Sequence, residues 1–79
     1  MEIKETEIKN ILSTVLEVNL EDINEGLEQS THSSWDSMKH LILISAFEDE
    51  FEITLTDDEV VNMTTYSAII NTIRKHKDE

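Results

Sequence analysis

Ile8, Ile11, Leu12, Val15 and Leu16 repeat at the i, i+3, i+4, i+7, i+8 spacing of an amphipathic helix. The pattern predicts a first helix from about Ile3 to Val18, with Glu2, Glu5 and Glu7 loading its first turns with the acid that the helix dipole favours. From Asn19 to Trp35 the periodicity breaks. Leu20, Ile23 and Leu27 stand as isolated apolar anchors among polar residues. This stretch predicts a long ordered loop with one helical turn near Glu21-Asp22-Ile23, and a loop of that length within a compact domain is commonly functional. Thr31, Ser33, Ser34 and Asp36 then cluster as N-cap-type residues ahead of a second helix, from about Ser37 to Phe51.

On a wheel of roughly 100° per residue, that second helix has two apolar faces. Leu43, Ile44, Phe47 and Phe51 form a core face. Met38, Leu41 and Ile42, with Ser45 among them, fall nearly opposite and lead into Glu48 and Asp49. Such a strip beside acids suits docking to a partner, unless the long loop folds over it. Ile53-Thr54-Leu55 has no partner strand. Thr56-Asp57-Asp58-Glu59 is a capping box that opens a short third helix through about Met63. Thr64-Thr65 caps a fourth, whose stripe is Ala68, Ile69, Ile70 and Ile73 with Tyr66 at its start. Arg74, Lys75, His76 and Lys77 close it with the cations its C-terminal dipole favours, and an Asp78-Glu79 tail is expected to fray. The sum is all-α: a small four-helix bundle of three main helices and a short third one, with a long loop between helices one and two. Residues 1–79 are expected to form one domain and to be monomeric.

Charge narrows the function. Eighteen acidic residues against six basic ones give a formal net charge of −12. Nucleic-acid binding, which needs cations against phosphates, is excluded as a class, and partners with basic patches are favoured. No Cys is present, and His32, His40 and His76 lack ligand spacing, so no metal site is expected. The charged start Met1-Glu2-Ile3-Lys4-Glu5 is unlike a signal peptide, and Leu41 to Ile44 is too short to span a bilayer. A cytoplasmic protein is expected.

Candidate chemistry centres on Ser37, in Ser34-Trp35-Asp36-Ser37-Met38. A serine nucleophile needs a base and an oxyanion hole, and no G-x-S-x-G elbow surrounds this one. Asp36 and His40 lie one turn apart on a helix with no evident pocket, so a triad is disfavoured. His40 reads as a solvated helix residue, and Trp35 as a packing contact over the start of helix two rather than a shield for an attached arm. Two roles remain for Ser37: a helix cap, or an attachment point whose phosphate ester the helix N-terminus would favour.

Over nearly its whole length the chain resembles the acyl carrier protein family. The resemblance is carried by Asp36-Ser37-Met38, then Leu41, Leu43, Ile44, Phe47 and Glu48-Asp49-Glu50-Phe51. The link Ile53-Thr54-Leu55, the acidic third helix and the apolar last helix complete it. It implies a carrier and not an enzyme. A 4′-phosphopantetheine arm would be attached to Ser37 by a phosphopantetheinyl transferase that draws on coenzyme A. Asp36 would help that transferase engage the site. Acyl or aminoacyl groups would travel as thioesters between loading ligases or acyltransferases and downstream synthases. Met38, Leu41, Ile42, Glu48 and Asp49 would form the docking surface. Ser34-Trp35 replaces the Gly-Ala usual in fatty-acid carriers, and Lys39 and Ile42 stand where acids are frequent. Lys39 is expected to interrupt the apolar strip with a cation that opposes fatty-acid enzymes, which favours a carrier of a specialised pathway. The alternative is an acidic helical adaptor or inhibitor that docks a basic partner through helix two, with Ser37 only a cap.

Overall fold

The computed structural model describes residues 4–77. Four helices follow one another: α1 (Glu5–Leu16), α2 (Ser37–Phe51), α3 (Asp57–Asn62) and α4 (Tyr66–His76). No strand occurs among the described residues. Within them, no helix is long and apolar enough to cross a membrane. The predicted elements all form, with ends shifted by a residue or two. Ile3, Glu2 and the Asp78-Glu79 tail lie outside the described residues.

The core is drawn from the expected stripes. Ile8, Leu12 and Leu16 come from α1. Leu43, Ile44, Phe47 and Phe51 come from α2, and Tyr66, Ile69, Ile70 and Ile73 from α4. The long loop crosses this core as a strap. Ile23, Leu27 and Trp35 are buried, but Leu20 is half exposed, so it is not the anchor its isolated apolar side chain suggests. One 3₁₀ turn, Leu20–Asp22, matches the expected helical turn. A second, Gln29–Thr31, carries no apolar pattern that would announce it. Beside it Gln29 N–H donates to Thr64 O at 2.8 Å and Tyr66 N–H to Leu27 O at 3.0 Å, pinning the loop to the start of α4.

The helix ends are closed by side chains from elsewhere in the chain. α1 and α2 both finish on a glutamate in the left-handed region, Glu17 (φ 58°) and Glu52 (φ 53°), where glycine is the unstrained choice. A distant lysine supports each end. Lys39 Nζ donates to Val15 O and Lys77 Nζ to Phe51 O, both at 3.0 Å, placing a cation at the negative pole of another helix. Glu48 Oε2 accepts from Leu55 N–H at 2.8 Å and fixes the link into α3.

α3 is six residues long, too short to persist by itself, and none of its residues is fully buried. Polar ties hold it. Thr56 Oγ1 accepts from Glu59 N–H and Glu59 Oε1 accepts from Thr56 N–H, completing the expected capping box. His76 Nε2 meets both Glu59 carboxylate oxygens at 2.8 and 2.9 Å, joining α3 to α4. The Thr56 N–H first, and then the His76 hydrogen bond, hold the Glu59 carboxyl well below the usual carboxylate range, at about 2, against the opposing effect of burial. A carboxylate depressed in the fold stabilises it above its unfolded value and loses that contribution as pH falls towards the folded one. Wild type is therefore expected to be more stable than Glu59→Gln at pH 6, with the difference shrinking between about pH 4.5 and 2. Urea unfolding of both proteins across that range checks it; a difference independent of pH would contradict the role given to Glu59.

Candidate functional site

Ser37 sits where the loop turns into α2, and the geometry shows that it is not the helix cap. The cap is Asp36. Its backbone is extended (φ −92°, ψ −176°), and its Oδ1 accepts from Lys39 N–H at 2.8 Å. Ser37 is the first helical residue. It is exposed, and its hydroxyl forms no hydrogen bond with any other described residue. The first amides of α2 have no carbonyl one turn back, so an anion carried on Ser37 Oγ would meet N–H groups and the positive end of the dipole. Asp36, the residue before Ser37, is exposed, and its carboxylate is held at the helix start by Lys39 N–H.

His40 is not solvated. It is buried, 8% exposed, and both ring nitrogens are engaged. Trp35 Nε1–H donates to His40 Nδ1 at 3.0 Å, and His40 Nε2 lies 2.7 Å from Val60 O. An indole N–H can only donate, so Nδ1 is the acceptor and Nε2 carries the proton that Val60 O receives. The side chain thus bridges the loop, α2 and α3, and neither nitrogen is free to act as a base towards Ser37. The sequence carried a signal for this: His40 precedes Leu43, Ile44 and Phe47 by three, four and seven residues and so shares their core face. Trp35 packs over the start of α2 as expected, 2% exposed and tilted 31° to the His40 ring, which places it inside the core.

Lys39 also departs from expectation. Its ammonium does not stand among the apolar residues. It turns to Val15 O and approaches Glu17 Oε2 at 3.6 Å, with the side chain one-third exposed. A lysine does this here because the carbonyls at the end of α1 lie open one packing distance from α2. The strip around it is open: Met38 is 72%, Leu41 63% and Ile42 47% exposed, so the loop does not cover it. Asp49 is exposed on the same side. Glu48 is half-buried and committed to Leu55 N–H. Val61 of α3, 71% exposed, extends the apolar surface and was not anticipated, since a single valine in an acidic helix has no periodic signal. Between α2 and α3 lies an open cleft of about 290 Å³ lined by Gln29, Ser37, His40, Leu41, Val60, Val61 and Thr64. Ser37 stands at its rim and His40 forms part of its wall.

Residues 6–73 match a family described as "Phosphopantetheine attachment site". The chain is 37% identical over 73 residues to an acyl carrier protein of Buchnera aphidicola subsp. Baizongia pistaciae, covering 91% of this chain and 92% of that protein. It is 32% identical over 66 residues to an acyl carrier protein of Picosynechococcus sp., covering 84% and 82%.

The Lys39 assignment has a direct check. Lys39→Met is expected to lower the unfolding free energy by about 1 kcal/mol, the sum of a lost carbonyl hydrogen bond and a lost dipole contact. Denaturant titration measures it. No loss would return Lys39 to the docking face as a free cation.

Proposed function

The chain belongs to the acyl carrier protein family, whose members carry covalent 4′-phosphopantetheine, and on that premise we propose that Ser37 is its point of attachment. The observation that carries this reading is the division of labour at the start of α2: Asp36 caps the helix, so the Ser37 hydroxyl is exposed and uncommitted. The residues fit the group. A phosphodiester on Ser37 Oγ would face the first-turn amides of α2, with solvent on one side and the cleft on the other. When bound, the group supplies a terminal thiol that holds an acyl unit as a thioester.

The chain's own residues would present and deliver that unit. Ser37 gives the tether a fixed origin on a rigid helix. Asp36 offers a carboxylate to the transferase and its metal. Met38, Leu41, Ile42 and Val61 give an apolar contact, with Asp49 beside it to meet basic partner residues. Weak contacts of this sort, steered by charge, allow fast and reversible visits to several enzymes. We read the protein as a single carrier domain acting in the cytoplasm, a substrate of a phosphopantetheinyl transferase and otherwise not an enzyme. Ile42 among exposed apolar neighbours, with no acid in the first turn of α2, favours partners of a specialised pathway over those of general fatty-acid synthesis.

Incubation with coenzyme A and a broad-specificity transferase is expected to add one phosphopantetheinyl group to the intact mass, and Ser37→Ala to add none. Asp36→Ala is expected to load more slowly. Failure of the wild-type protein to gain mass with several transferases would sink the proposal and leave an adaptor role.

A further inference from the structure

We propose, building on the carrier reading above, that His40 bolts α2 to α3 at the cleft beside Ser37 and so restricts the carrier to short or polar acyl cargo that stays at the surface. A long alkyl chain tethered at Ser37 is driven out of water. Ser37 lines the cleft between α2 and α3 together with Leu41 and Val60, and the buried core side chains of α2, Leu43 and Phe47, lie behind it. His40 stands across that route. Its ring is held on both sides, by Trp35 Nε1 at 3.0 Å and by Val60 O at 2.7 Å.

To pass, a chain must part α3 from α2. Parting breaks the hydrogen bond to Val60 and leaves His40 Nε2 facing hydrocarbon. An apolar side chain at this position would let the two helices separate on weak contacts alone. The buried, fully paired imidazole instead weighs against the opened state by about tenfold or more. Trp35 and Phe47 fill the core behind His40 and are almost completely enclosed. The cleft itself is shallow and mostly apolar, with Gln29 and Thr64 as its polar edge, and its volume of about 290 Å³ gives room only for a short acyl group resting at the surface.

The experiment uses the full chain, loaded by a transferase with acetyl- or decanoyl-phosphopantetheine from the corresponding coenzyme A thioesters. Two quantities are read: backbone amide NMR shifts of Leu43, Phe47 and Ile69, and the rate of thioester cleavage by hydroxylamine. In wild type, the core amides are expected to be the same with either cargo, and both thioesters to be cleaved at the same rate. In His40→Leu, the decanoyl form is expected to shift the core amides and to be cleaved about tenfold more slowly than in wild type. Protection of decanoyl in the wild-type protein overturns the proposal whether or not the variant folds. A folded His40→Leu that leaves decanoyl as exposed as wild type overturns it too. Absence of any loading at Ser37 brings down the carrier reading and this inference with it, a failure distinguished by the intact mass.

Discussion

The Trp35–His40–Val60 relay is the constraint on which the rest of the site depends. α3 buries no residue completely, so hydrophobic packing alone does not position it. Val60 packs partly against the core and Leu55 and Met63 on either side of the helix are buried in it, and hydrogen bonds to α2 through His40 and to α4 through Glu59 and His76 fix the rest. A satisfied polar contact of this kind contributes modestly, about 1 kcal/mol, but leaving one partner unpaired inside the protein costs about 1–3 kcal/mol. That asymmetry makes the relay a device of specificity more than of bulk stability. It fixes where α3 lies against α2, and with it the width of the cleft, the height of Val61 beside Leu41, and the setting of Ser37 at the rim.

A second economy concerns positive charge. The chain has few cations, and the fold engages most of them with groups of its own. Lys39 and Lys77 close α1 and α2, Lys75 and Arg74 pair with Glu59 and Glu5, and Lys9 lies over the Tyr66 ring. The exposed pairs among these add little stability individually. Cations held against carbonyls and carboxylates of the same molecule interrupt the negative field less than cations standing free on the exposed face of α2 would. The net charge of −12 is therefore little offset there.

Periodicity made the helices and their core faces legible, because amphipathic spacing is a local property. Ser37 was legible as an attachment site only through the family resemblance, since its position at a helix start fitted a cap equally well. A shift of one residue separates a cap from the first helical position, and only the backbone angles and hydrogen bond of Asp36 establish which is which. Lys39 and Glu48 were misplaced for a common reason. Their partners, Val15 O and Leu55 N–H, are backbone groups of other segments, and nothing in a linear pattern marks a carbonyl or an amide as open. His40 differs. Its spacing from Leu43, Ile44 and Phe47 already placed it on the buried face, and the assumption that a histidine in an acidic helix belongs to solvent outweighed that signal.

Trp35 is the chain's one tryptophan, and its indole lies two residues before the proposed tether, bonded to the imidazole that joins the cleft's two walls. The molecule thus contains its own optical gauge. Cargo that wedges the helices apart must disturb the surroundings of this fluorophore and change its emission. Cargo that rests outside leaves it dark to the event. A carrier built this way announces, without any label, whether its passenger is riding inside or out.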